Sequence, residues 1–236
     1  MADKYICYSF WGEDERFGYG AIKNAELART HLPDWKVIVY HDDTVATKFI
    51  RVLNNMSHVE VKNIATIDPG YKMVFGAFWR FLPMFEREGH FIVRDTDSRL
   101  TAREARAVEE WVSSGRTFHT IRDHEAHYEW PVLAGMWGMR GVVHPYFHEQ
   151  MKKYWLANFY TIDQVYLAQV IWPAVQQSVL VHGMREGGWF ADTRKNVGYN
   201  FVGEGWYEDD TPIYSYDMPS RKFNRGQEKG VYNSAL

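Results

Sequence analysis

The 236 residues carry 27 Lys and Arg against 30 Asp and Glu, a net charge of −3, which gives no electrostatic case for binding nucleic acid or an anionic membrane. With 46% hydrophobic residues the chain can fill one sizeable core, so a single domain over 1–236 is expected. One cysteine, Cys7, excludes an internal disulfide and suits a reducing compartment.

In chain order, KYICYSF (4–10) predicts a strand, with Cys7 as a buried structural thiol. GYGAIKNAELARTHL (18–32) predicts a helix, and WKVIVY (35–40) a second strand ending in His41-Asp42-Asp43. A helical run at 44–56 precedes a short strand, HVEVKNI (58–64). KMVFGAFWRFLPMFER (72–87) predicts a helix or a broken helix with Pro83 disturbing it, and HFIVRD (90–95) a strand bounded by Gly89. Thr101-x-x-Glu104 is a capping-box pattern opening a helix that Gly115 stops. TFHTIRD (117–123) predicts a strand ending in Asp123, and VLAGMWGMRG a strand or strand-turn. Thr161-x-x-Gln164 repeats the capping-box pattern and opens a helix that Pro173 ends, before the strand SVLVHG (178–183). From 184 onward periodicity fades into an irregular wrapping segment or tail.

This alternation predicts an α/β fold with a mostly parallel central sheet and helices on both faces. In such sheets the ligand crevice lies at the carboxyl ends of the strands. Polar groups gather there: Asp42, Asp95 with Asp97, Asp123 and His182, beside the Ser9–Glu13 turn. In an extended backbone, residues i and i+2 point the same way, so Asp95 and Asp97 are expected to face one point. Two such carboxylates repel unless a cation or protons neutralise them, and hard oxygen ligands suit Mg²⁺ or Mn²⁺. The alternative is a plain Asx turn at a solvated strand end. Aromatics at 17%, including 10 Trp, offer stacking surfaces for sugars or nucleobases. No window is apolar enough to span a membrane, and the N-terminal MADKYICYSFWGEDE does not read as a signal peptide. A cytoplasmic location is therefore expected.

The helix containing WRFLPMF followed by FIVRDTDSRL resembles the D-x-D segment of GT-A glycosyltransferases. LAGMWGMRG (133–141), TIDQVYLAQ (161–169) and VLVHG (179–183) are similar, in the same chain order, to the sugar-pocket strand, the D-Q helix start and the C-terminal histidine segment of family 8 and its relatives. Leu133 stands where that family has asparagine, Val165 where it has an acid, and MREGGW follows His182-Gly183 in place of a Lys-Pro-Trp. The resemblance implies a single GT-A, Rossmann-like nucleotide-diphospho-sugar transferase domain. Its nucleotide-binding half would be 1–100, its sugar and acceptor half 101–183, and its irregular C-terminal segment 184–236.

It further implies a Mn²⁺- or Mg²⁺-dependent transfer from a nucleotide-sugar, UDP-linked, to a hydroxyl of a glycan or glycoconjugate acceptor. Asp95, Asp97 and His182 would be the metal ligands. Arg80 would sit near the diphosphate or hold a D-x-D carboxylate, with a snorkelling surface arginine as the alternative, and Arg185 would replace the missing phosphate-binding lysine. Ala134 and Gly135 would line the sugar pocket, while Tyr8, Ser9, Phe10 and Asp42 would meet the nucleoside. For those four, core aromatics and a turn-forming Asp pair remain the alternative. Asp123 and Asp163, with Gln164, are the candidate catalytic groups near the reacting sugar, with plain helix capping as the alternative for Asp163-Gln164. His124-x-x-His127 has helical spacing but no further zinc-ligand pattern. Two other readings stand beside this one: a haloacid dehalogenase-type phosphatase with Asp95 as nucleophile and Glu208-Asp209-Asp210 as the distal acids, and a non-catalytic nucleotide or sugar binder on the same scaffold.

Overall fold

The computed structural model describes residues 2–141, 145–157, 159–186 and 201–213. Among these residues, seven strands form one sheet: β1 (Lys4–Phe10), β2 (Lys36–His41), β3 (Val59–Asn63), β4 (His90–Arg94), β5 (Phe118–Arg122), β6 (Met136–Arg140) and β7 (Val179–Gly183). They lie in the order β3-β2-β1-β4-β6-β5-β7. β6 runs antiparallel to β4 and β5, and the other pairings are parallel, so the sheet is mixed but mostly parallel.

The helices are α1 (Glu15–His31), α2 (Thr47–Asn54), α3 (Ile64–Ile67), α4 (Pro83–Glu86), α5 (Ala102–Ser114), α6 (Pro145–Met151), α7 (Ile162–Tyr166) and α8 (Trp172–Val175). Side chains alternate across a strand, and β1 shows how the two faces are filled. Ile6, Tyr8 and Phe10 pack with α1, α2 and α5, while Tyr5 and Cys7 pack under the turns and short helices of the opposite face. Cys7 is fully buried, and burial pushes its thiol well above the ordinary range, as befits a structural residue.

The long helices start and stop as their sequences dictate. The Asp14 carboxylate accepts from Arg16 N at 3.0 Å to cap α1, and Thr101 Oγ1 accepts from Glu104 N at 3.1 Å to cap α5. Gly115 ends α5 with φ 70°, a left-handed conformation natural to glycine. The α5 box is only half formed, because the Glu104 carboxylate turns to the buried Arg94 guanidinium instead of back to the cap.

Residues 72–87 take the broken form of the expected helix, with 3-10 turns at Pro69–Met73 and Gly76–Phe81, then α4; two other local expectations fail further on. Trp11 lies so close over Gly76 that any Cβ there would collide with its ring, and Pro83 takes the first turn of α4, where its missing N–H costs nothing. Thr161 makes no capping box; its φ of 80° turns the chain sharply into α7 without a side-chain cap. Pro173 does not end its helix either. A π-helical turn at Leu167–Ile171 precedes it and α8 continues through it, the wider turn accommodating the lost i→i−4 bond. Among the described residues, no helix is long and apolar enough to cross a membrane.

Candidate active site at the end of β4

The chain runs from β1 outward to β2 and β3 on one side, while β4 lies on the other side of β1. The carboxyl ends of β1 and β4 therefore flank the point where strand order reverses, which is where open α/β sheets bind ligands. Asp95 leaves β4 at this point. The registry pairs Cys7 with Val93, so Ser9 stands level with Asp95, on the same face. The Ser9 hydroxyl is buried and has no hydrogen-bond partner among the described residues, an unusual state for a hydroxyl in a closed core.

Arg80 organises the site. It is 6% exposed, and its guanidinium donates to an Asp95 carboxylate oxygen, to Arg94 O at 3.2 Å and to Asp163 Oδ2 at 3.0 Å. Burial opposes its charge, but Asp95 and Asp163 more than offset that, and its pKa lies above the ordinary value. Asp163 is 5% exposed; its other oxygen accepts from Gln164 N at 2.9 Å, and burial raises its pKa. The Asp95 side chain stays 47% exposed, leaving carboxylate surface open to a ligand.

Asp95 and Asp97 lie close together, though not by strand alternation. β4 ends at Arg94, and Asp95-Thr96-Asp97 forms a turn in which Ser98 N donates to Asp95 O at 3.3 Å and Ser98 Oγ at 2.8 Å. Asn24, in the middle of α1, fixes this turn from behind. Its Nδ2 donates to Thr96 O at 3.1 Å and Ser98 O at 2.7 Å, and its Oδ1 accepts from Leu100 N at 2.9 Å. Burial, then the neighbouring Asp95, pushes the Asp97 carboxyl up to about 6. Gly135 completes the wall: a Cβ there would collide with the Asp95 carboxylate, so only glycine lets β6 approach it. Gly135→Ala is expected to drive Asp95 off Arg80 and cost about 1–3 kcal/mol in urea unfolding, the usual result of overpacking. Wild-type stability in that variant would show instead that Asp95 moves freely.

The structure thus joins Arg80, Asp95, Asp97, Asp163, Gly135 and Ser9, with Ala134 buried alongside and Gln164 at the start of α7. It places other expected residues elsewhere. Tyr8 and Phe10 alternate onto the opposite face and fill the core there, so the ring left at the end of β1 is Trp11, packed edge-on against Phe75 and Trp79. The Asp42 carboxylate accepts from Thr44 N at 3.0 Å and from the Thr44 hydroxyl, and Thr44 Oγ1 accepts from Gly12 N at 2.6 Å, so this turn stays beside the end of β1.

Asp123 and His182 lie at the expected edge of the sheet but on the α5 face. Asp123 is fully buried, paired with Arg103 of α5, and accepts from Val202 N at 2.9 Å, apart from the Arg80 cluster. His182 stands three strands from β4, about 14 Å at ordinary strand spacing. Its Nδ1 lies 2.8 Å from Nε2 of the fully buried His119, and its Nε2 lies 3.3 Å from Glu110. Burial lowers the pKa of both histidines. Arg185 pairs with Glu125 and lies over the Tyr128 ring at 4.2 Å, away from the Arg80 cluster. His124 caps its own turn and packs with His127 on Phe201. Asp210, expected as a distal acid in the phosphatase alternative, is held by Arg99 and Lys23. Most of 184–236 lies outside the described residues.

Among the described residues, no three His, Cys, Asp or Glu side chains stand together as a metal-holding group. Mg²⁺ and Mn²⁺ sites are commonly built from one or two carboxylates completed by substrate phosphates and water, and Asp95 with Asp97 fits that form. No protein-family model and no curated protein matches the chain. A solved structure described as a glycosyltransferase involved in the glycosylation of the major capsid of PBCV-1 is similar with a TM-score of 0.45 and 13% identity, over 77% of this chain and 82% of that one.

Proposed function

We propose that the chain is a glycosyltransferase that binds a nucleotide-sugar, UDP-linked, across the ends of β1 and β4. The observation that carries this reading is the pair Asp95 and Asp97 at the switch point, with Asp95 held by a buried arginine. Three carboxylates, Asp95, Asp97 and Asp163, lie in the field of Arg80, with Arg16 also acting on Asp97, and the excess negative charge favours a divalent cation. Mn²⁺ or Mg²⁺ bound by Asp95 and Asp97 would supply Lewis-acid stabilisation of the diphosphate leaving group. Arg80 keeps Asp95 aimed at the crevice, and Asp163, with both oxygens engaged, keeps Arg80 in place. The Ser9 hydroxyl, without a partner among the described residues, and the Trp11 ring suit the ribose and base end of the donor. A glycan or glycoconjugate hydroxyl completes the reaction as acceptor.

The test is hydrolysis or transfer across a panel of nucleotide-sugars, with Mn²⁺ and with EDTA. Activity with UDP-sugars that EDTA abolishes and Mn²⁺ restores is the expected result. Full turnover in EDTA would overturn the metal-dependent reading. Tight UDP binding with no turnover against any acceptor would leave a binding protein on this scaffold.

A further inference from the structure

Asp97 is the less anchored of the two carboxylates: Asp95 is gripped by Arg80, whereas the contacts that place Asp97 come from elsewhere in the chain. Trp206 N donates to Asp97 O at 2.8 Å, and Gly205 passes near the Asp97 carboxylate, with room for a Cβ 3.9 Å from Oδ2. Both residues open a tight hairpin. Tyr207 N donates to Thr211 O at 2.8 Å, Ile213 N to Gly205 O at 2.8 Å, and Asp210 takes the left-handed turn position with φ 58°. Asp and Asn tolerate that conformation better than most residues, and Asp209 caps the turn through Thr211 N at 3.0 Å.

The hairpin is riveted to the D-x-D turn by one buried side chain. Arg99, 7% exposed, donates from Nε to Asp210 Oδ1 at 2.9 Å, from Nη2 to Tyr207 O at 3.3 Å and from Nη1 to Ser98 O at 2.9 Å. The second oxygen of Asp210 pairs with Lys23 of α1 at 3.1 Å. Arg99 therefore spans from the backbone beside Asp97 to the tip of a hairpin more than a hundred residues later.

Building on the proposed function, we infer that Asp210 and Arg99 are positioning residues for the cation site: the hairpin they lock sets where the Asp97 carboxylate stands. The backbone that this pair fixes donates from Trp206 N to Asp97 O. Removing Asp210 also strands the buried Arg99 guanidinium, so metal affinity has to be read beside stability. Groups that orient a metal ligand typically matter about 10–100-fold to metal affinity.

The experiment measures Mn²⁺ binding directly, by titration calorimetry or by loss of the free-ion EPR signal, alongside melting without metal. Asp210→Ala is expected to raise the Mn²⁺ dissociation constant about tenfold. Asp210→Asn, which keeps an acceptor for Arg99, is expected to restore most of that affinity. Lys23→Ala removes only the outer half of the clamp and leaves the hairpin attached, so it serves if Asp210→Ala melts early; a rise of about threefold is then expected, a fraction of the full effect. Wild-type Mn²⁺ affinity in both Asp210→Ala and Lys23→Ala would overturn the inference while leaving the proposed function standing. A wild-type protein that binds no Mn²⁺ would overturn the proposed function and the inference with it.

Discussion

Replacing Arg80 with alanine is expected to cost about 3–5 kcal/mol of folding stability, the usual result of leaving a buried charge without its partner. Asp163 is 5% exposed and keeps only the backbone N–H of Gln164 once the guanidinium is gone. Asp95, more exposed, can turn toward water, so Asp163 should dominate the loss. For a chain of this size, a change of this magnitude lowers the melting temperature by about 10 °C. Adding Asp163→Asn to Arg80→Ala removes the stranded charge and is expected to recover more than half of the lost stability. Urea unfolding of the wild type, both single variants and the double variant closes the cycle. A loss below about 1 kcal/mol for Arg80→Ala would mean that the pair behaves as a surface ion pair and does not organise the site.

The apolar run Phe78-Trp79-Arg80-Phe81-Leu82 left Arg80 to snorkel or find a partner, and only the resemblance pointed it at a D-x-D carboxylate, the contact it makes to Asp95. The strand ends were legible from the residues themselves: polar residues closing apolar runs mark the edge where a parallel sheet meets solvent. What the sequence did not carry was the face. Asp123 and His182 reach the predicted edge, yet one residue of strand phase decides whether a side chain meets α5 or the Arg80 cluster. Their partners, Arg103, Glu110 and His119, become neighbours only through the antiparallel insertion of β6 and the return of β7 beside β5. Asn24 hid in plain view. In GYGAIKNAELA it passes as one polar residue of an amphipathic helix, and only a D-x-D turn lying across α1 makes it a buried clamp. The hairpin at 206–212 left no periodic signal at all, because its order comes from Arg99 and not from a pattern of its own.

Asp97→Asn is expected to stabilise the metal-free protein at neutral pH while reducing transfer about 10²–10³-fold, the scale on which a single group stabilising a charged transition state is felt. The two effects have one cause. The folded protein holds the Asp97 carboxyl at about 6, through burial and the neighbouring Asp95 charge. An unfolded aspartate titrates near about 3.9, so ionising Asp97 works against the fold. The sign follows from linkage: below about pH 4 the carboxyl is protonated in both states and costs nothing, and stability falls as pH rises through the folded pKa. Above about pH 6 the penalty is complete, of order 1–2 kcal/mol after discounting for partial exposure. Asparagine keeps the shape without the charge, so the variant should exceed wild type at pH 7.5 and match it near pH 4. Mn²⁺ should reverse the order, because the cation binds the native carboxylate pair and at about 100 times its dissociation constant adds about 2.7 kcal/mol to wild type. The variant, having lost one ligand, should gain far less. Urea unfolding at both pH values, with and without Mn²⁺, reads all four states. A variant less stable than wild type at pH 7.5 without metal would sink the strained-carboxylate account, and equal stabilisation of both proteins by Mn²⁺ would remove Asp97 from the cation site.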